Sequence, residues 1–400
     1  KREYMFGFLL NLQVFFVLVL IGLCLCFLAC WIVFRYQDKA IYVPSIGSMI
    51  PRSMAYNEHG FRYPSDRELR YIDVHIRRPD GVGLHGWLIF LRSTPHTPSV
   101  KKSKKSNVKI ININPSKALL NPHAVNKASP LSSVNQSEAS SVNEGGNIES
   151  AAEIDEPLYK PKTKISSLSR SISPGKLPRL EPAFLKMERF NAPTVIFFHE
   201  NTGNIGMRLG YLDEYVSEVD CNILIVAYRG YSLSQGTPSE AAIKADSLAL
   251  LDWVFEQQRE FDPARVLLHG RSLGAAVMLY ALANSRHRDK IRAFIAESSF
   301  TSMNDLVATL FPKLSWFRKL LLRNYWNSLF ELRQLPGDQS ALFITGEKDE
   351  LTPTKMMQIL FENYKGTSKT LLTIQDGDHN EPWKFNRRMY WSHIRKMVLF

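Results

Sequence analysis

Cysteine is scarce in this chain of 400 residues: it has four, and Cys24, Cys26 and Cys30 all lie in its most apolar stretch. Only Cys221 is left for the rest of the chain, so no disulfide can form within a globular domain. Cys and His also lack the spacing of a zinc site, and we expect neither a metal nor another cofactor. These absences exclude a small domain held together by disulfides or by zinc.

An evenly spread basic surface, as in many nucleic-acid-binding proteins, is also missing. The net charge is +12, but the segment from Arg92 to Phe190 alone has 16 Lys and Arg against 8 Asp and Glu. That segment is rich in Ser, Asn, Lys and Pro, is poor in aromatic residues, and has no sustained helix or strand period. We therefore interpret residues 92–190 as a disordered insertion and expect no nucleic-acid partner.

Charged residues are absent from Met5 to Phe34. The uninterrupted apolar or small residues from Val14 to Phe34 give about 31 Å of helix, enough to cross the core of a bilayer. The apolar region of a signal peptide is shorter and ends in small residues, whereas this one ends in Trp31-Ile-Val-Phe34. We predict a flank at residues 1–4, a transmembrane signal anchor at residues 5–34, and the lipid bilayer as a partner.

Past a connector at residues 35–70, apolar stretches of strand length alternate with stretches of helical period. A hairpin is predicted at residues 71–91, and the domain it begins continues at residues 191–400. The alternation predicts an α/β fold with a mostly parallel central sheet and helices on both faces. In such sheets ligands bind beyond the carboxyl ends of the strands, so catalytic residues should directly follow strands. The other predicted strands are residues 194–198, 222–227, 265–269, 293–296, 341–345 and 370–374, and the clearest predicted helices are residues 240–260, 273–284 and 353–364.

A serine stands at one of these strand ends. The segment Gly270-Arg271-Ser272-Leu273-Gly274 follows the predicted strand 265–269 and opens the predicted helix 273–284. This is the G-x-S-x-G pattern in the strand-turn-helix context that gives it meaning, because its glycines allow a sharp turn that exposes the serine hydroxyl. Chance spacing of this kind is common, but chance placement between a strand and a helix is not. We predict Ser272 as a nucleophile.

Two later strand ends supply partners for this serine. Asp349 follows the predicted strand 341–345, and His379 follows the predicted strand 370–374 on a polar turn. A hydroxyl needs a base to take its proton and an acidic group to orient that base, and in this fold they come in the order Ser, acid, His. We therefore predict Asp349 as the acid and His379 as the base. Glu347 and Glu350 share the loop of Asp349, and a surface or capping role is the alternative for all three.

Two more groups follow from the same pattern. His199 and His269 also end strands, but both precede Ser272, so we interpret them as core histidines with satisfied hydrogen bonds. The negative oxygen of the acyl intermediate needs two backbone N–H donors. We expect one from Leu273, the residue after the nucleophile, and the other from the loop at residues 199–204.

These residues make the sequence resemble the α/β-hydrolase superfamily, and within it single-pass membrane serine hydrolases with fungal and plant members. The resemblance covers roughly residues 72–91 and 193–400. It implies an α/β-hydrolase fold with a short helical cap, a triad of Ser272, Asp349 and His379, and Asn201 as the second oxyanion donor. It also implies a type II orientation, with the hydrolase domain lumenal or extracellular. The motifs that carry it are Gly203-Asn-Ile-Gly206, Tyr228-Arg-Gly-Tyr231, Gly270-Arg-Ser-Leu-Gly274, Glu297-Ser-Ser-Phe300, Asp349 with Pro353, and Asp376-Gly-Asp-His-Asn380.

The chain departs from the pattern at Glu200 and Ser232, where glycines are usual. If the Glu200 carboxylate faces the developing oxyanion about 5 Å away, the repulsion is on the order of 3 kcal/mol at an effective dielectric near 20. Glu200→Gly should then raise the turnover number. If the carboxylate turns to solvent or pairs with Arg229 or Arg271, the penalty disappears.

Our main hypothesis is therefore an esterase or thioesterase that acts on acylated lipid or acylated protein. Aromatic and aliphatic residues at 301–335, the expected cap, are either core packing or a wall that binds the acyl chain. A membrane scaffold weakened in catalysis by Glu200 is the alternative from another class. A serine peptidase on the same fold is a third hypothesis.

Overall fold

The computed structural model describes residues 2–91, 110–111, 183–312 and 322–399. Its first element is helix α1, Arg2–Ile41, whose segment Val17–Ile41 has 25 residues and is long and apolar enough on average to cross a membrane. Side chains along it, such as Leu18 and Phe27, are exposed rather than packed against the domain. This makes the stretch a candidate membrane span. The helix continues past the predicted end of the anchor at residue 34, because its last residues bind the folded domain.

The centre of the domain is one mixed sheet. The strands among the described residues are β1 (Tyr71–Arg77), β2 (Gly83–Ile89), β3 (Ile110–Ile111), β4 (Thr194–Phe198), β5 (Asn222–Val226), β6 (Val266–Arg271), β7 (Ala293–Glu297), β8 (Ser340–Gly346) and β9 (Lys369–Ile374). They lie in the order β1-β2-β5-β4-β6-β7-β8-β9-β3. The stretch from β5 to β9 is parallel, whereas β1, β2 and β3 pair antiparallel. The mostly parallel sheet predicted from the sequence is confirmed.

Helices cover this sheet. Those in the described residues after α1 are α2 (Ala183–Asn191), α3 (Leu209–Val219), α4 (Glu240–Asp252), α5 (Leu273–Asn284), α6 (Met303–Leu310), α7 (Ser328–Gln334), α8 (Thr354–Asn363), α9 (Pro382–Phe385) and α10 (Arg387–Leu399). Helices α3 and α10 pack together on one face, and α4, α5, α7 and α8 form a layer on the other. Central strands such as β4 and β5 are buried along their whole length, as their continuous apolar sequences require of strands covered on both faces.

Two parts of the predicted disordered insertion, residues 92–190, have regular structure, so that prediction is wrong for them. Ile110 and Ile111 pair with β9, and α2 occupies the end of the segment. Helix α2 is held by the domain: the carbonyl of Arg189 accepts from Asn222 Nδ2 at 2.7 Å, and its guanidinium lies 4.5 Å from the centre of the Phe90 ring. The polar composition of the whole segment hid this short helix. The rest of the insertion lies outside the described residues.

Two nested deletions should separate α2 from the rest of the insertion. We expect that replacing residues 92–182 by a short Gly/Ser linker changes the melting temperature little, because that segment lacks apolar content for the core. Replacing residues 92–191 should lower it by a further 5–10 °C or so, since α2 then no longer makes its hydrogen bonds. Both deletions remove β3, so their difference measured by thermal unfolding isolates α2. Equal melting temperatures would contradict a stabilising role for this helix.

The predicted cap, residues 301–335, is described except for residues 313–321. Its two described helices, α6 and α7, begin at side-chain caps: Ser302 accepts from Asp305 N, and Asn327 accepts from Phe330 N. Trp326 is buried, whereas Phe311, Tyr325 and Phe330 each expose more than half of their surface. The apolar residues of this segment therefore divide between core and surface. Trp316, Phe317, Leu320 and Leu321 lie outside the described residues.

Candidate active site

Ser272 occupies a sharp turn between β6 and α5. Its φ is 53° and its ψ −124°, a strained combination for a residue with a side chain. A Cβ on Gly270 would lie 2.5 Å from the carbonyl oxygen of Gly274, and one on Gly274 would lie 2.0 Å from that of Phe198. Both glycines are therefore required for close contact of the turn with the helix and with β4. The serine N–H donates to the carbonyl of Glu297 at 2.9 Å, which fixes the turn to the end of β7.

The structure brings His379 between Ser272 and Asp349. His379 Nε2 lies 3.0 Å from Ser272 Oγ, and His379 Nδ1 lies 2.8 Å from Asp349 Oδ2 and 3.0 Å from Oδ1. All three are hydrogen-bonding distances. The three side chains come from the turn after β6, the loop after β8 and the turn after β9, so the strand ends do converge as the sequence predicts.

The surroundings of Asp349 favour its ionised form. Burial by itself would raise the pKa of this carboxyl, but the hydrogen bond and charge of His379, followed by hydrogen bonds from Thr352, outweigh it and lower that pKa. Asp349 Oδ1 accepts the N–H groups of Leu351 and Thr352 at 3.0 and 2.7 Å. Glu347 instead accepts from Asp376 N at 3.2 Å. Of the three acidic residues in the loop, only Asp349 contacts the histidine.

Thr352 is a site residue that the sequence reasoning missed. Its hydroxyl is buried and lies 2.8 Å from Asp349 Oδ2, 3.0 Å from the carbonyl oxygen of Ser298 and 3.1 Å from His379 Nδ1. It therefore helps to fix the carboxylate that faces the imidazole. The signal was present in the sequence, because a threonine three residues after an aspartate commonly closes a local turn of this kind.

The loop at residues 199–204 lies beside the nucleophile turn, since Gly274 approaches the carbonyl oxygens of Phe198 and His199. His199 Nε2 accepts the N–H of Tyr228 at 3.2 Å, so its Nδ1 carries the proton and donates to the Glu200 carbonyl at 2.7 Å. A trans peptide directs its N–H opposite to its carbonyl, so this bond fixes the direction of the Asn201 N–H. That N–H has no acceptor in the part of the chain the structure describes.

The N–H of Leu273 is also available, because the first N–H groups of a helix have no acceptor within that helix. The two predicted oxyanion donors therefore lie on segments that contact each other near Ser272. Burial, and then the charge of Arg208, lower the pKa of His199 to about 4. The imidazole is neutral at pH 7 and keeps the tautomer that this arrangement needs.

Comparison with known proteins shows the family to which the chain belongs. A family model described as alpha/beta hydrolase fold matches residues 201–357. The alpha/beta hydrolase domain-containing protein WAV2 of Arabidopsis thaliana is 33% identical over 54% of this chain and 72% of its own length. The chain belongs to the α/β-hydrolase family. Protein bem46 of Schizosaccharomyces pombe is 34% identical, over 47% of this chain and 62% of its own. The uncharacterized membrane protein YNL320W of Saccharomyces cerevisiae is 30% identical, over 58% and 81%.

The fold is also similar to that of a solved esterase structure. The Pyrococcus furiosus esterase Pf2001 superposes with a TM-score of 0.50 at 17% identity, over 84% of this chain and 93% of that one. At this identity the likeness concerns the fold alone. Family and fold together support a hydrolase.

Glu200, which replaces a glycine of the family pattern, is paired with two cations of the hydrolase. Its carboxylate lies 2.8 Å from Arg208 Nε and 3.3 Å from Arg271 Nη1. Burial alone would raise the pKa of this carboxyl, but the charges of Arg208 and Arg271 outweigh it and lower that pKa to about 2. Of the two partners foreseen from the sequence, Arg271 is correct, whereas Arg229 pairs with Asp246. We therefore no longer expect Glu200→Gly to raise turnover.

Glu200→Gln should lower stability in a way that depends on pH. A folded-state pKa of about 2 against an ordinary value of 4.5 corresponds to on the order of 3 kcal/mol of stability. This contribution is fully present above the unfolded-state pKa and is lost as the pH falls toward 2. Thermal unfolding of wild type and variant should therefore differ by several degrees at pH 7 and converge between about pH 5 and pH 2. A difference that stays constant over this range would contradict the pairing.

Ser232, the other departure from the family pattern, keeps the backbone conformation of the glycine it replaces. Its φ is 49°, in the left-handed region that favours glycine. Its hydroxyl accepts the N–H of Ile205 at 3.0 Å, where Ile205 begins the 3₁₀ turn before α3. This hydrogen bond offsets part of the strain.

A buried charged cluster supports the nucleophile turn of the hydrolase from behind, and the sequence did not reveal it. Arg271 Nε lies 3.4 Å from Glu297 Oε1, while Glu297 Oε2 lies 3.1 Å from His269 Nε2 and 2.8 Å from the Tyr390 hydroxyl. Burial alone would raise the pKa of Glu297, but Arg271 and His269 outweigh it and lower that pKa. His269 is thus a core histidine with satisfied hydrogen bonds. His199 is likewise a buried histidine with hydrogen bonds at both ring nitrogens, as its position before Ser272 in the sequence indicated.

One group of side chains among the described residues has the geometry to hold a metal ion: Asp252, Glu256 and His287. Arg286 already forms ion pairs with both carboxylates, at 2.9 Å to Asp252 and 2.7 Å to Glu256. The guanidinium supplies the positive charge that a cation would bring.

Proposed function

We propose that this α/β-hydrolase is a membrane-anchored serine hydrolase that cleaves acyl esters or thioesters. Ser272 attacks the acyl carbonyl, His379 takes the hydroxyl proton and later protonates the leaving group, and Asp349 orients the imidazole. The N–H groups of Asn201 and Leu273 stabilise the oxyanion. Water then attacks the acyl enzyme with His379 again as the base. This chemistry needs no metal or cofactor.

The observation that carries the proposal is the pair of contacts made by His379: 3.0 Å to Ser272 Oγ and 2.8 Å to Asp349 Oδ2. A base within hydrogen-bonding distance of a hydroxyl, itself held by a carboxylate, is the arrangement that activates serine. The strained turn also supports the proposal. The positive φ of Ser272 places backbone strain at the residue whose side chain has to be exposed to the substrate.

An acylated lipid or an acylated protein is the proposed substrate. The support comes from the exposed Phe311, Tyr325 and Phe330 in the cap segment and from the candidate membrane span of α1. Apolar side chains of this size, left exposed beside a catalytic domain, suit an acyl chain. YNL320W, one of the relatives, is itself named a membrane protein. A type II orientation with a lumenal or extracellular domain is part of the proposal.

A fluorophosphonate probe and a substrate panel test the proposal. We expect the full-length protein in detergent micelles to be labelled at one site and to hydrolyse aryl esters and acyl thioesters, with rates that rise as the acyl chain lengthens from acetyl toward palmitoyl. Folded protein that is neither labelled nor active would favour the membrane scaffold. Cleavage of peptide amides in preference to esters would favour the peptidase. The pairing of Glu200 with Arg208 and Arg271 takes away the sequence argument for the scaffold.

A further inference from the structure

The end of the membrane helix contacts the loop that carries Asn201. We call residues 37–43 the junction; they are the last five residues of α1 and the two residues that follow it, and they contact the catalytic domain. Val43 forms a parallel bridge with Thr202, and the Gly203 N–H donates to the Val43 carbonyl at 2.8 Å. The junction therefore runs beside this loop as a short strand would. Its backbone groups supply the hydrogen bonds that a loop outside the sheet otherwise lacks.

Asn201 itself is held at two atoms by the junction. Its carbonyl oxygen accepts the Val43 N–H at 3.0 Å, and its side-chain Nδ2 donates to the Ile41 carbonyl at 3.1 Å. The same carbonyl oxygen accepts the Tyr231 hydroxyl at 2.7 Å. His199 fixes the peptide before Asn201, and the junction fixes the peptide after it. The direction of the Asn201 N–H thus depends on both.

The junction is in turn fixed to the domain by Tyr42, which lies between Ile41 and Val43. Its side chain is 1% exposed, and its hydroxyl donates to Asn324 Oδ1 at 2.7 Å and accepts from Trp326 Nε1 at 2.8 Å. Because Tyr42 is anchored from the opposite side, its two neighbours cannot move away from the loop without breaking a buried hydrogen-bond network.

We propose that the junction, with Tyr42 and the Val43 N–H as positioning groups, holds the oxyanion donor Asn201 in its catalytic place. This inference rests on the proposed function. The emergence of the chain from the membrane helix is then part of the active-site scaffold as well as an attachment. An oxyanion donor acts on charge that exists only in the transition state, so loosening the junction lowers kcat and leaves KM nearly unchanged.

A purely mechanical role, in which the junction only attaches the domain to the helix, makes a different prediction. Arg323 provides the test, because its ion pair with Asp38 at 3.0 Å also joins the helix to the domain but does not include Tyr42 or Asn201. Without this ion pair Asp38 still accepts from Asn324 Nδ2 at 2.8 Å, so the hydrogen bonds of Tyr42 remain in place. Loosening this contact should not alter the chemistry of an attached domain. The two roles therefore separate in variants of the same interface.

The experiment compares four variants of the full-length protein in detergent micelles: Val43→Pro, Val43→Ala, Tyr42→Phe and Arg323→Ala. Val43→Pro removes the N–H that binds Asn201, whereas Val43→Ala keeps it. Fluorophosphonate titration counts competent sites, so kcat on a short aryl ester is expressed per site. Binding of an alkyl boronic acid, whose tetrahedral adduct resembles the transition state, is measured alongside.

We expect kcat per site to fall on the order of a hundredfold in Val43→Pro and about tenfold in Tyr42→Phe, with KM within about twofold of wild type. Boronic acid binding should weaken by the same factor as kcat/KM. Val43→Ala should lose less than about threefold, and Arg323→Ala should match wild type within about twofold. If Val43→Pro lowers only the number of titrated sites, with kcat per site retained, the inference is wrong. A wild type without turnover would instead overturn the proposed function, and this inference with it.

Discussion

Ser272→Ala should abolish fluorophosphonate labelling and lower ester hydrolysis by at least about 10⁴-fold, because removal of the nucleophile leaves only the residual effect of binding and oxyanion stabilisation. The protein should still fold. The N–H of Ser272 keeps its hydrogen bond to the Glu297 carbonyl, and alanine has the same Cβ as serine in the strained turn. Among the described residues, the Ser272 hydroxyl forms a hydrogen bond with His379 alone. The expected change is therefore chemical rather than structural.

The matched control is Ser217→Ala, which removes a hydroxyl that donates to the Asp213 carbonyl within α3. Labelling, ester hydrolysis and the melting temperature are measured on all three proteins. The control should keep wild-type activity, and both variants should unfold within a few degrees of wild type. Continued labelling of Ser272→Ala at the wild-type rate would show that another residue is the nucleophile.

The sequence predicts the triad because each member directly follows a strand that the apolar pattern reveals. Ser272 and His379 are 107 residues apart in the chain, yet 3.0 Å apart in space. The parallel sheet explains this, since the carboxyl ends of β6, β8 and β9 all meet at one edge. Knowledge of the strand ends and of the order Ser, acid, His was sufficient to choose Ser272 and His379, whereas the choice of Asp349 over Glu347 and Glu350 also rested on the family resemblance.

Contacts between distant segments without a periodic pattern could not be predicted in this way. The junction depends on Tyr42 reaching Asn324, 282 residues away, and nothing local to either residue indicates the other. The partners of Glu200 are similar: the sequence suggested a cation for this carboxylate, but only the fold selects Arg208 and Arg271 over Arg229. Such pairs depend on which loops meet, which the pattern of apolar residues does not encode.

Local composition does not reveal helix α2. Helix α2 lies within a Ser-, Lys- and Pro-rich segment, and nine residues are too few for a stable helix alone. It exists because the domain binds it, through Asn222 at the carbonyl of Arg189 and through the N–H of Asp262 at the carbonyl of Phe190. Tertiary contacts of this kind override the average character of a segment.

Asp349→Asn should lower kcat by about 10³- to 10⁴-fold, whereas Glu350→Gln and Glu347→Gln should each change it by less than about threefold. The amide cannot accept at both of its terminal atoms. It would present an N–H to His379 Nδ1 or leave the Thr352 hydroxyl and N–H groups poorly matched. His379 would then favour the tautomer with its proton on Nε2, facing Ser272, and that tautomer cannot take the serine proton.

The two glutamates are the matched controls, because they lie in the same loop and the same change from acid to amide is made. Glu347 accepts the exposed N–H of Asp376, and Glu350 is exposed, so neither substitution alters a group near the imidazole. Because its pKa is lowered, the Asp349 carboxylate remains charged at pH values below those at which an ordinary aspartate becomes protonated. Wild-type activity should therefore not be limited by protonation of Asp349 in mildly acidic solution.

Single-turnover acylation of an aryl ester, measured per titrated site, separates the effect of Asp349→Asn on the chemical step from loss of folded protein. A larger loss in either glutamate variant than in Asp349→Asn would move the role of the acid to that glutamate, because orientation of His379 is the one function that distinguishes these three carboxylates.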